Sequence, residues 1–248
     1  MVKAFLMIGQ SNMAGRGDFE EISPINNVRL YMLRNGLWQP LSEPVNPDRS
    51  ILRPFGGEKR YHSGISLAPA FAEAYAETYG EDVGLIPCAD GGTCIAQWAE
   101  GSILFDHAVL MTKLAMRHSE LAGILWHQGE SDSNTPEKSE VYFERLCEFF
   151  QALRRQLDMP ELPVVMGELG RYMLSEPMRD AFPYAGKVNE AIHRAAKEIG
   201  YAGVASSEGL VTRCDGIHFD SPSLRCFGKR YFDVYQQLIQ QERMNYDA

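Results

Sequence analysis

Two short stretches hold the residue types from which nucleophilic acyl transfer is built. Near the start stands a serine flanked by glycines, Gly9-Gln10-Ser11-Asn12-Met13-Ala14-Gly15; near the end an aspartate precedes a histidine by three residues, Asp215-Gly216-Ile217-His218. A serine hydroxyl attacks poorly until a base takes its proton. The Asp-x-x-His spacing lets the Asp215 carboxylate reach the Nδ1–H of His218, which fixes the tautomer and leaves Nε2 to accept from Ser11. Of the six histidines, His218 is the best placed for this work.

Attack on a carbonyl also needs hydrogen-bond donors for the oxyanion. The backbone N–H of Ser11 is one candidate. Gly91 or Gly92, in Asp90-Gly91-Gly92-Thr93, is a second, because a residue without Cβ lets the main chain come close. The side-chain amide of Gln128 is a third. It belongs to Trp126-His127-Gln128-Gly129-Glu130-Ser131-Asp132, where Glu130 is an alternative acid for orienting His218. Asp215 is preferred for its local tether, and His127 reads as structural. Each pattern alone has a plainer explanation: a helix-capping serine, a loop hydrogen bond, a β-to-α turn, a backbone anchor. Their joint presence favours chemistry.

The elements between these blocks must bring them together. Strand-like runs at Ala4–Ile8, Val83–Ala89, Gly123–His127, Leu162–Glu168 and Ala202–Ser206 alternate with helical patterns. The helices are expected from a Ser66 cap to Tyr79, and over Leu104–His118, Pro136–Leu157, Tyr184–Ile199 and Ser223–Arg243. This order predicts an α/β/α sandwich around a five-stranded parallel sheet with right-handed crossovers. Ligands of such sheets bind beyond the carboxyl ends of the strands, and each polar block follows a strand. We expect residues 1–248 to form one domain. An irregular insertion over about 17–64 departs from the alternation and is expected to lie over the active face. Within it, Asn35-Gly36 between Val28–Leu33 and Leu37–Leu41 signals a type I′ hairpin.

Composition narrows the partners. A formal net charge of −9 without a Lys/Arg cluster argues against nucleic acid or an anionic membrane surface. No run approaches the ~20 apolar residues of a membrane span. No HExxH, His-x-His or Cys/His zinc spacing appears, nor a Walker A or GxGxxG motif, so neither a metal nor a nucleotide cofactor is expected. Five irregularly spaced cysteines read as reduced thiols. With no signal-peptide pattern visible, the expected location is cytoplasmic; a secreted protein without its leader would read the same.

Taken together, Gly9-Gln10-Ser11-Asn12-Met13, Asp90-Gly91-Gly92, Trp126-His127-Gln128-Gly129-Glu130-Ser131-Asp132 and Asp215-Gly216-Ile217-His218 resemble the SGNH hydrolase superfamily. Within it they are similar to the branch of sialate O-acetylesterases and family 6 carbohydrate esterases (acetyl xylan esterases). The resemblance covers essentially the whole chain in block order. It implies a flavodoxin-like fold, metal-free serine chemistry and a small O-acetylated carbohydrate as substrate. By motif match Ser11 would be nucleophile and first oxyanion donor, and a glycine of Gly91-Gly92 the second. Gln128 would stand where many members carry asparagine. His218 would be the base, with Asp215 or Glu130 completing the triad. The chain lacks the wider superfamily's Gly-Asp-Ser and its asparagine, as this branch does. The alternatives are a short-chain aryl esterase or thioesterase on the same scaffold, or a non-catalytic sugar-binding protein. Intact Ser11, Asp215 and His218 count against the last. The Arg/Gly/Tyr-containing loop at 53–64 does not suggest a lipase lining.

Overall fold

A computed structural model describes residues 1–47, 51–52 and 62–246, with the side chains of 242–246 left aside. The strands are β1 (Val2–Gly9), β2 (Leu30–Arg34), β3 (Leu37–Pro40), β4 (Val83–Pro87), β5 (Ser119–His127), β6 (Val164–Gly167) and β7 (Ala202–Ala205). The helices are α1 (Ser11–Ala14), α2 (Ala68–Tyr79), α3 (Ile103–Ala115), α4 (Pro136–Glu140), α5 (Tyr142–Leu157), α6 (Met178–Ala181), α7 (Ala185–Ile199) and α8 (Ser221–Tyr246).

The strands form one sheet in the order β3-β2-β4-β1-β5-β6-β7. The five strands expected from apolar runs lie side by side and all parallel. Their order, second-first-third-fourth-fifth, is the flavodoxin-like one. The expected sheet size was too small. The Asn35-Gly36 hairpin is there, with both residues at positive φ as a type I′ turn requires. Instead of lying over the active face, however, it extends the sheet. β2 pairs parallel to β4 (Leu30 with Val83, Met32 with Leu85), and β3 pairs antiparallel to β2 as the edge strand. Leu30, Met32 and Leu33 are buried by this docking, which explains it. Of the remaining insertion, residues 48–50 and 53–61 lie outside the described residues, and with them most of the loop at 53–64.

β1 shows why the sheet is covered on both faces. Its even residues Ala4, Leu6 and Ile8 pack with Leu104, Phe105 and Ala108 of α3, Phe149 and Phe150 of α5, and Ile192 of α7. Its odd residues Phe5 and Met7 pack with Phe71 and Tyr75 of α2 and Phe227, Tyr231 and Tyr235 of α8. The period-two alternation of a pleated strand thus feeds two separate apolar layers.

Several expected helix boundaries shift for local reasons. Ser66 does not cap α2: Leu67 holds the N-cap position, Pro69 stands in the first turn, and the buried Ser66 hydroxyl has no partner among the described residues. The single helix expected over Pro136–Leu157 breaks at Val141 into α4 and α5. The break falls where Tyr142 turns fully inward and donates its hydroxyl to the Gln128 carbonyl at 2.7 Å. α8 begins two residues before its expected start because Asp220 caps it, accepting from the Ser223 N–H at 2.8 Å.

Glu168, at the end of β6, ties this rim together. Its carboxylate accepts from Arg171, His193, Ser206 and the Ser207 N–H after β7. Burial alone would raise its pKa; the bonds from Arg171, His193 and Ser207 outweigh that and hold it at about 2. Because Arg171 and His193 are about half exposed and solvent screens their charges, this corresponds to about 1–2 kcal/mol of stability at neutral pH. Because the folded-state value lies below the unfolded one, the contribution is complete above about pH 5 and fades as pH falls toward 2. Glu168→Gln should therefore lower the unfolding free energy by about that amount at pH 7, with the gap to wild type narrowing toward pH 3. Urea melts at both pH values check this; a gap independent of pH would contradict it.

Candidate active site

The order of the sheet reverses at β1, which lies between β4 and β5, and the crevice beyond the carboxyl ends of these three strands is the topological switch point. The three blocks that follow them meet there. The chain leaves β1 through Gly9, whose φ of +127° and closeness to β5 exclude a side chain; a Cβ there would fall 2.1 Å from the His127 carbonyl oxygen. The Gln10 N–H donates to that same carbonyl at 2.8 Å, which locks the turn. Ser11 opens α1, so its own N–H belongs to the first turn, where no intrahelical acceptor exists.

Ser11 and His218 meet across 207 residues of chain, with Oγ 2.9 Å from Nε2. The imidazole Nδ1 lies 2.8 Å from Asp215 Oδ2, and Asp215 Oδ1 accepts from the N–H groups of Ile217 and His218 at 2.9 Å each. Burial would raise the Asp215 carboxyl. The hydrogen bonds from His218 and Ile217, and the attraction of the imidazole when charged, overcome it and hold the group below the usual carboxylate range. Asp215 is therefore ionised beside the His218 imidazole, an arrangement that stabilises imidazolium whenever the ring takes up a proton.

Glu130 takes a different place. It is buried, and its Oε1 accepts from Asn12 Nδ2 at 2.6 Å and stands 3.2 Å from His127 Nε2. Burial pushes its pKa up, but the attraction of the His127 imidazole when charged and the bonds from His127 and Asn12 bring it net below the ordinary value. No bond joins it to His218 among the described residues. His127 itself is fully buried, with Nδ1 3.2 Å from the Tyr231 hydroxyl, which in turn donates to the Trp126 carbonyl at 2.8 Å.

A cavity of about 270 Å³ opens over Ser11 and His218. Gln10, Arg16, Gly91, Gly92 and Glu130 share its wall, and Phe182 and Ile217 give it an apolar side. Of the glycine pair, Gly91 is the one facing the serine: a Cβ on it would lie 3.6 Å from Ser11 Cβ and 2.5 Å from Arg16 Nη2, whereas one on Gly92 would meet nothing. A larger cavity of about 740 Å³ lies at the other end of the strands, around Lys3, Glu120 and Tyr201, and holds none of these groups. Among the described residues, no three His, Cys, Asp or Glu side chains are placed to hold a metal ion, and no helix is long and apolar enough to cross a membrane. All five cysteines are unpaired.

Gln128 departs from its expected role. It is fully buried and outside the cavity wall. Its amide nitrogen lies 2.6 Å from Asp132 Oδ2, 2.8 Å from the Thr93 carbonyl and 3.1 Å from Gln10 Oε1, so its two hydrogens are consumed inside the protein. Gln128 thus clamps the loops after β1, β4 and β5 together beneath the pocket. Burial, only partly offset by the bonds from Gln128 and the Ile95 N–H, pushes Asp132 up to about 6.

Sequence reasoning gave no role to Asn12. This fully buried side chain bonds Glu130 and the Ile217 carbonyl through Nδ2, at 2.6 and 3.4 Å, and accepts the Phe219 N–H at 3.2 Å. It therefore fixes the Ser11 turn against the His218 loop. Its place next to the serine was the only signal available. Arg16 was passed over as well; its Nη1 donates to the Gly15 carbonyl at 2.7 Å, and its own carbonyl accepts from Arg213.

Comparison with known proteins gives the family of the chain. The probable carbohydrate esterase At4g34215 of Arabidopsis thaliana is 28% identical over 233 residues, covering 86% of this chain and 82% of that protein. Its solved structure superposes with a TM-score of 0.79 at 27% identity over 95% of this chain and 98% of the other. NanS shares the fold at a TM-score of 0.75 and 17% identity, with 97% and 98% of the chains covered. So does XAC1771, a carbohydrate acetylesterase from Xanthomonas citri, at 0.65 and 16%, over 95% of this chain and 56% of that one. The family model for carbohydrate esterases, sialic acid-specific acetylesterase, matches residues 1–237, so the chain belongs to that family and is a carboxylic ester hydrolase.

Proposed function

We propose that the protein removes acetyl groups from the hydroxyls of small carbohydrates, with Ser11 as nucleophile, His218 as general base and acid, and Asp215 as the acid that orients it. The observation that carries this reading is the hydrogen-bonded series Asp215–His218–Ser11, at 2.8 and 2.9 Å, at the mouth of a cavity. As Ser11 Oγ bonds to the acetyl carbon, its proton passes to His218 Nε2 and the carbonyl electrons move to oxygen. The oxyanion is met by the N–H groups of Ser11 and Gly91. When the intermediate collapses, the C–O bond to the sugar breaks and His218 returns the proton to the departing hydroxyl. Water then repeats the sequence on the acetyl-enzyme, giving acetate and free Ser11.

A short acyl group is proposed because it fits the cavity of about 270 Å³ that opens over Ser11. The carbohydrate leaving group follows from the family and from its relatives, whose names concern carbohydrate esterases. Acetylated xylo-oligosaccharides and O-acetylated sialic acids are the substrates proposed. Acetate release from both, beside p-nitrophenyl esters of two to eight carbons, is the test. The expected result is release from at least one acetylated sugar, with kcat/KM falling at least tenfold between the acetyl and the butyryl aryl ester. Preference for the longer chains, with no acetate from any sugar, would favour a general acyl esterase and contradict the reading.

A further inference from the structure

We propose that the Phe182 ring is the platform on which the sugar of the departing alcohol lies, so that this side chain selects esters with a ring in the leaving group. The proposal deepens the carbohydrate reading above and rests on it.

The chemistry divides the cavity wall. The oxygen that leaves must lie within reach of the proton on His218 Nε2, whereas the oxyanion lies toward the N–H groups of Ser11 and Gly91. The leaving alcohol therefore occupies the imidazole side. Phe182 belongs to that side. It follows α6 directly, and α6 is packed against the loop that carries Asp215 and His218: a Cβ on Gly216 would fall 2.4 Å from Met178 Sδ. Ile217, the chain neighbour of the imidazole, shares the cavity wall with Phe182.

The ring is fixed before any ligand arrives. The Phe182 N–H donates to the Met178 carbonyl at 3.0 Å, and the Phe182 carbonyl accepts from the Ala185 N–H at 3.1 Å. Two residues on, the Tyr184 N–H donates to the Ser133 carbonyl at 3.0 Å, which ties the segment to the loop after β5. Phe182 is half-buried: with Tyr172 and Ile217 it packs against the apolar layer that holds α5 and α7, and it also lines the cavity. Tyr172 holds Ile217 in turn, donating its hydroxyl to the Ile217 carbonyl at 2.8 Å. An aromatic face set in advance costs little ordering on binding.

A sugar ring offers a face of C–H groups and a rim of hydroxyls. The C–H face suits the electron-rich face of an aromatic ring. Ser131 and Asn134 line the same cavity and bring a hydroxyl and an amide for the rim. An apolar surface with a few polar groups that fix orientation is the usual make-up of a small-molecule site.

Three acetyl esters that differ only in the alcohol test this: acetylated xylo-oligosaccharide or O-acetylated sialic acid, p-nitrophenyl acetate, and ethyl acetate, which has no ring. Stacking acts on ground and transition states alike, so Phe182→Ala should raise KM for the sugar and aryl esters about tenfold or more, with kcat within about threefold. Its kcat/KM for ethyl acetate should stay within about threefold of wild type, and Phe182→Trp should restore the KM for the sugar ester. An equal loss on all three esters would mean that Phe182 serves the acyl group or the fold, and overturns the proposal. Acetate release from sugars by wild type, with KM unchanged in Phe182→Ala, overturns the proposal alone. No release from any acetylated sugar by wild type overturns the carbohydrate reading as well. A second measurement leaves Phe182 in place: a crystal structure of Ser11→Ala with the acetylated sugar bound. The sugar ring should lie against the Phe182 face at about 4 Å. A bound sugar that leaves this face bare overturns the proposal.

Discussion

Ser11→Ala should lower kcat for p-nitrophenyl acetate by about four orders of magnitude or more. The melting temperature should stay close to that of wild type. The Ser11 hydroxyl makes one described contact, with His218 Nε2, so the fold loses little. The catalytic loss is large because, among the described residues, no other hydroxyl stands at the imidazole Nε2. Activity should not vanish entirely, since the backbone N–H of residue 11 and the Gly91 side of the pocket survive the substitution. Residual oxyanion stabilisation of that kind leaves about 10³-fold catalysis over water in enzymes of this type. Turnover equal to wild type would remove Ser11 from the mechanism.

The second large effect separates the two acids. Asp215→Asn replaces the acceptor of the His218 Nδ1–H with a group that also donates, which favours the wrong tautomer and removes the charge that stabilises imidazolium. A fall in kcat of about 10³–10⁴ is expected, with KM little changed. Glu130→Gln should cost about tenfold or less in kcat. Its penalty should appear in stability instead, since Glu130 holds Asn12 and His127 in a fully buried site. Steady-state kinetics and thermal melts on both variants decide the matter. Equal, small losses in kcat would mean that neither acid orients His218.

What could be read from the sequence was local. Asp215 and His218 are three residues apart, so their bond is implied by spacing, and the structure has it at 2.8 Å. The five parallel strands announced themselves as short apolar runs, and the position of the polar blocks after them followed from the sheet rule. What could not be read depends on contacts between distant segments. β2 and β3 form a hairpin on local turn chemistry, but their place in the sheet is decided by β4, about fifty residues later. Gln128 follows a strand as Gln10 does, and nothing in its neighbours tells where its amide turns; its hydrogens go to Asp132 and the Thr93 carbonyl, which lie far from it in the sequence or beyond a turn. Asn12 is equally silent, because its partners Glu130, Ile217 and Phe219 lie 118 to 207 residues away.

Mixing the protein with p-nitrophenyl acetate, quenching within the first turnover and mapping acetylated peptides by mass spectrometry tests the nucleophile most directly. Acetyl on the hydroxyl of Ser11, formed no more slowly than turnover and absent from Ser11→Ala, is the expected result. Steady release of acetate while Ser11 stays unmodified, in wild type and in Asp215→Asn alike, would contradict it.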